Sequence, residues 1–61
     1  MSKIIKNAAQ CKLCGEVIES KHVHDCVVCK CGSCMVDGGH EYLRRGYRSE
    51  EIFIDLSVVE D

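Results

Sequence analysis

Two closely spaced cysteine pairs carry the chemistry that this sequence could perform: Cys11-Lys12-Leu13-Cys14-Gly15 and Cys29-Lys30-Cys31-Gly32. A tetrahedral metal ion needs four soft donors on backbone that can turn sharply. Two cysteines separated by one or two residues supply two such donors from a single turn. Glycine directly after each pair permits φ > 0 and leaves room for backbone N–H groups near the sulfurs. Between Cys14 and Cys29 lie 14 residues, enough for a strand, a turn and a returning strand. The spacing falls just short of the usual gap between paired C-x-x-C units. We therefore expect one structural Zn²⁺ per chain, held by Cys11, Cys14, Cys29 and Cys31.

A disulfide framework is the competing reading. Disulfide-rich modules belong to secreted chains. Here Met1-Ser2-Lys3 leads into a mixed polar segment with no apolar h-region. Cysteines one residue apart also make poor partners for each other. The expected setting is soluble and cytoplasmic, with no membrane span.

Cys26 and Cys34 remain outside this set. A hairpin reversing at Lys30 pairs residues whose numbers sum to about 60, which places Cys29 opposite Cys31 and Cys26 opposite Cys34. The outer two would then be small apolar fillers of a thin core, with a redox pair or reserve ligands as the sharper alternative. His22, His24 and His40 are alternative donors, since three cysteines and one histidine also hold zinc; the default for each is an exposed polar side chain.

The elements that must position these residues are short. A 61-residue chain is one domain, 1–61, with 1–5 and 59–61 expected to be flexible. One Phe, two Tyr and no Trp leave little with which to fill a core. Chains of this size bury only about 60% of their unfolded surface and need a staple. The expected fold is therefore a small zinc-stabilised β-rich domain of zinc-ribbon type. It has two metal-binding turns, three to four short antiparallel strands, and a C-terminal strand or short helix.

Strands are expected at Glu16–Ser20, Val23–Val28 and Ser33–Val36, and a turn at Asp37-Gly38-Gly39. Residues 40–47 read as a fourth strand or one helical turn ended by Gly46. Ser49-Glu50-Glu51 resembles a helix start, yet Ile52, Ile54, Leu56 and Val58 alternate as in a strand. An exposed strand edge would also permit a homodimer.

Formal charge is −2, and a tetrathiolate site adds four negative charges against two positive, taking it to about −4. That disfavours non-specific nucleic-acid coating, which needs excess Lys and Arg. Residues 1–36 hold five lysines against three acids; residues 37–61 hold three arginines against seven acids.

Taken together, C-x-x-C-G, Ile18-Glu19-Ser20, His24-Asp25, C-x-C-G, Val36-Asp37-Gly38-Gly39 and Tyr42-Leu43-Arg44-Arg45 resemble an uncharacterised family of short zinc-ribbon-like bacterial and phage proteins. The resemblance spans roughly residues 5–58. It implies the fold, does not require cysteine at positions 26 and 34, and carries no biochemical activity.

Tyr42, Arg44, Arg45 and Arg48 are the candidate partner-binding residues, because Tyr and Arg most often anchor interfaces. The expectation is a non-enzymatic module that binds a protein; in a phage setting, it would redirect a host protein. The alternative is a nucleic-acid-binding ribbon or small transcriptional regulator. There Lys12, Lys30, Arg44, Arg45 and Arg48 would act with Tyr42 and Tyr47 on single strands. The bland reading pairs Arg44 and Arg45 with Glu41, Glu50 or Glu51. No phosphate loop or nucleophile–base set is present, and four thiolates would close the metal to substrate.

Overall fold

The computed structural model describes residues 3–60. Eight short strands and one 3-10 turn are formed among them. The strands are β1 Lys3–Lys6, β2 Ala8–Cys11, β3 Val17–Glu19, β4 Val27–Val28, β5 Cys34–Asp37, β6 Arg44–Tyr47, β7 Phe53–Asp55 and β8 Val58–Glu60. Three small antiparallel sheets result: β1 with β8, β3-β2-β7, and β4-β5-β6.

The two three-stranded sheets enclose one thin core of Ala9, Cys11, Ile18, Cys29, Cys34 and Val36. Val27, Ile52 and Phe53 pack against it from the edges. No aromatic ring is among its fully buried side chains, so the apolar contribution is small.

The tail resolves into both of the forms that its sequence suggested. Ser49 accepts from the Glu51 N–H and caps the 3-10 turn Glu50–Ile52, after which the alternating residues enter β7. Residues 3–5 and 59–60, expected to be flexible, take part in the β1–β8 ribbon. Residues 1, 2 and 61 lie outside the described part.

Eight strands form where three to four and one C-terminal element were expected, because the residues before Cys11 also pair, as β1 and β2. Three further expectations need correction. The stretch Val23–Val28 is a strand only at Val27–Val28. The Ser20 hydroxyl donates to the carbonyls of His22 and Asp25, and the Asp25 carboxylate accepts from the Lys21 N–H. These local bonds replace the strand ladder from 20 to 25. The second correction is register. Val27 faces Val36 and Val28 faces Met35, so paired numbers sum to 63 rather than 60. The chain reverses through Gly32, at φ 76, and not at Lys30. Third, Cys26 and Cys34 are therefore not opposed. Cys34 is buried in the core as a small filler, and Cys26 is exposed.

Candidate metal centre

Each cysteine pair sits on a tight reversal closed by backbone hydrogen bonds. In the first, Gly15 N–H donates to Cys11 O at 2.8 Å and Cys11 N–H to Glu16 O at 3.0 Å. In the second, whose two cysteines stand one residue closer together, Gly32 N–H donates to Cys29 O at 2.9 Å and Cys29 N–H to Cys34 O at 3.0 Å. Both glycines have φ 76, the left-handed region expected of them. The turns are clasped together by Glu16, whose Oε1 accepts from the Lys30 N–H at 2.7 Å.

This arrangement gathers the Sγ atoms of Cys11, Cys14, Cys29 and Cys31 within 4.8 Å of one another. Cys31 Sγ lies 3.6 Å from both Cys11 Sγ and Cys29 Sγ. An ion bound tetrahedrally to sulfur at about 2.3 Å requires sulfurs about 3.8 Å apart. The cluster fits such an ion in donor number, donor type and spacing. No histidine joins it among the described residues.

The thiols differ in acidity. Burial alone would raise Cys29, but N–H groups of Cys34 and Ser33 and the neighbouring thiols hold it down at about 6. The Cys34 N–H reaches the Cys29 sulfur at 3.3 Å. Cys31 is also lowered, first by the Ser33 hydroxyl and then by the Ser33 N–H. Cys11 and Cys14 are raised. Backbone N–H groups, foremost those of Cys14 and Glu16 respectively, pull them down, but desolvation and adjacent thiols outweigh them. Cys34 is raised chiefly by burial. Its side chain lies by Ile52 O at 3.8 Å rather than completing the cluster.

A second, polar cluster of Asn7, Ser20 and Asp37 lies at the far end of β2, and neither Asn7 nor Ser20 was singled out as a site from sequence. Asn7 is fully buried. Its Nδ2 donates to Asp37 O at 2.8 Å and Gly39 O at 3.0 Å, with Tyr42 O at 3.4 Å. Among the described residues, its Oδ1 has no hydrogen-bond partner. The Ser20 hydroxyl accepts from the Gly39 N–H at 2.9 Å. The Asp37 carboxylate accepts from the Gly38 N–H at 2.8 Å. The signal available in the sequence was the run of Ser20, Asp25, Asp37, Gly38 and Gly39, all turn formers.

The four candidate partner-binding residues do not form one face. Arg45 pairs with Asp55 at 2.9 Å, donates to Ser57 and lies over the Phe53 ring at 5.2 Å from its centroid. It is a structural clamp. Arg44 sits 3.8 Å from the Asp37 carboxylate. Neither arginine pairs with Glu41, Glu50 or Glu51. Tyr42 is partly exposed, with its hydroxyl 3.5 Å from Val23 O. Arg48 is exposed and makes no ion pair among the described residues.

Fold and site together define a small β-rich domain with short antiparallel strands and a four-cysteine cluster able to hold a metal ion. The chain belongs to the family described as Domain of unknown function (DUF7695), whose model matches residues 3–47. No curated protein and no solved structure matches it. The matched segment contains both cysteine turns and the Asn7–Ser20–Asp37 cluster. No helix among the described residues is long and apolar enough to cross a membrane.

Proposed function

We infer that this chain is a non-enzymatic module in which one structural Zn²⁺ organises a surface that binds another protein. The observation that carries this reading is the gathering of four sulfurs from two separate turns within 4.8 Å. Borderline-soft Zn²⁺ suits an all-thiolate set, and four thiolates leave no coordination position for substrate. All six cysteines are free, in keeping with a reducing compartment such as the cytoplasm. Protein is favoured as the partner because the net charge is −2 and two of the three arginines are paired internally. The nucleic-acid reading draws on exposed Lys12 and Lys30 at the two turns and on exposed Tyr42 and Tyr47.

Native mass spectrometry of the reduced protein tests the metal. One zinc per chain is expected, retained in Cys26→Ala and lost in Cys14→Ser. A compact chain without metal would overturn the reading. Cross-linking in lysate beside a salt titration with single-stranded oligonucleotide tests the partner. Oligonucleotide binding that weakens steeply with salt would favour nucleic acid instead.

A further inference from the structure

The four clustered cysteines are not equally sheltered. Cys11 and Cys29 are buried, Cys14 is half-buried and Cys31 is exposed. The Cys31 Sγ lies 3.6 Å from Cys11 Sγ on the first turn and 3.6 Å from Cys29 Sγ on its own turn. Oxidation by peroxide follows thiolate character and exposure, and a redox-sensing cysteine often stands beside a second thiol that resolves it. Of the four, only Cys31 combines exposure with such neighbours.

Topology selects which neighbour resolves it. A Cys29–Cys31 bridge would close a ring over one residue, inside a reversal already drawn tight by Gly32 N–H on Cys29 O at 2.9 Å. The Cys34 N–H also holds the Cys29 sulfur, at 3.3 Å. A Cys11–Cys31 bridge instead joins the two turns. A protein contact keeps these side by side without any ion, since Glu16 Oε1 accepts from the Lys30 N–H at 2.7 Å. The remaining two cysteines stand outside the exchange. Cys34 lies by Ile52 O at 3.8 Å, and Cys26 is not among the clustered sulfurs.

The geometry points to a peroxide-responsive switch, in which the ion that ties the two turns is exchanged for a Cys11–Cys31 disulfide. This inference rests on the structural-zinc part of the reading above and adds a regulation to it. Hydrogen peroxide is the oxidant. The Cys31 thiolate attacks one peroxide oxygen, the O–O bond breaks, and hydroxide leaves a sulfenic acid on Cys31. The Cys11 thiolate then attacks the Cys31 sulfur, the S–O bond breaks, and a second hydroxide leaves as the disulfide forms. The two sulfurs have given up two electrons, and one peroxide with two protons has become two waters. Only Cys14 and Cys29 then remain as donors, so Zn²⁺ is released. The new bond spans the same two turns, and the sheets stay in place after the ion has gone.

The test starts from zinc-loaded Cys26→Ala freed of reductant, with native mass spectrometry reporting the ion before peroxide is added. Expected after hydrogen peroxide are loss of one zinc to a chromogenic chelator, loss of two hydrogens in mass, and a bridge between tryptic peptides 7–12 and 31–44. Cleavage after Lys12, Lys21 and Lys30 puts each of the four cysteines on a different peptide, and fragmentation separates Cys31 from Cys34 on the last. NMR shift dispersion should persist in the bridged, zinc-free protein, and dithiothreitol should restore zinc binding. Zinc retained with every thiol intact, oxygen adducts without a bridge, or a bridge between any other pair would overturn the switch and leave the zinc reading standing. So would collapse of dispersion once the bridge has formed. A chain without an ion before peroxide would overturn the switch and the zinc reading together.

Discussion

Asn7 joins two parts of the chain with one buried amide. Its Nδ2 serves the carbonyls of Asp37 and Gly39, and no other side chain takes its place at these two oxygens. Removing it strands buried acceptors, each costing about 1–3 kcal/mol. Asn7→Ala should therefore lower stability by about 2–4 kcal/mol, read as a shift in denaturant midpoint with unchanged slope. Asn7→Asp should be at least as damaging, because a carboxylate would face carbonyl oxygens. Loss of under about 0.5 kcal/mol in both variants would show that water satisfies these groups.

Arg45 and Asp55 give a pH-dependent term. Burial would raise the Asp55 carboxyl, but the Ser57 N–H and the Arg45 guanidinium lower it below its ordinary value. A lowered folded pKa stabilises the protein above the unfolded value of about 3.9 and loses that contribution as pH falls through the folded value. The Asp55 side chain is 55% exposed, so screening keeps the term below about 1 kcal/mol. Stability of wild type minus Asp55→Asn should hold steady from pH 7 to pH 5 and shrink below about pH 4. Taking the difference cancels any acid-driven loss of a metal held by the cysteines, which would affect both proteins. A difference independent of pH would dissociate Asp55 from acid sensitivity.

The cysteine set was legible because its chemistry is explicit in residue type and spacing. Asn7 was not, because one polar residue before an apolar pair looks like any loop residue. Only the fold reveals that Ala8 and Ala9 carry it into the interior. Arg45 was read as a surface anchor because sequence does not show that Phe53 and Asp55 return beside it.

Among the elements, the two cysteine turns and the Asp37-Gly38-Gly39 turn use glycine differently. At Gly15 and Gly32 an added Cβ would meet nothing within 4 Å, so substitution incurs only the left-handed backbone cost. Alanine at either should cost about 1–2 kcal/mol and leave metal binding intact. At Gly39, φ is 54 and an added Cβ would also run into the His22 backbone, with its carbonyl oxygen at 2.6 Å. Gly39→Ala should thus lose the Ser20 contact and destabilise more than Gly15→Ala or Gly32→Ala. Equal losses in thermal midpoint at all three positions would refute this ordering. The same turns explain what strand patterns missed. A reversal at Lys30 alone was the simplest hairpin, but the second cysteine turn consumes four residues, 30–33, and moves the register by three. Likewise, β-branched residues at 23–28 suggested a long strand, while Ser20 and Asp25 bind the intervening backbone locally.

At the scale of the molecule, two small sheets share a core whose fully buried members are mostly Ala, Cys and Val. Such a core does not offset the conformational entropy of ordering the chain, which is about 1–2 kcal/mol per residue for the backbone alone. An ion bound by the four sulfurs in the folded state would supply what is missing, because the unfolded chain does not hold them together. Stability should then follow free zinc by mass action, rising about 1.4 kcal/mol for each tenfold increase once zinc exceeds its dissociation constant. The dependence can be measured by denaturant unfolding in zinc buffers under reductant, with Cys26→Ala as the control that leaves the cluster whole. A slope near this value, with collapse of shift dispersion on strong chelation, is the expected result. A stability flat across the buffer series, with the fold intact after chelation, would mean that the sheets and the Asn7 cluster suffice. The four cysteines would then need another explanation.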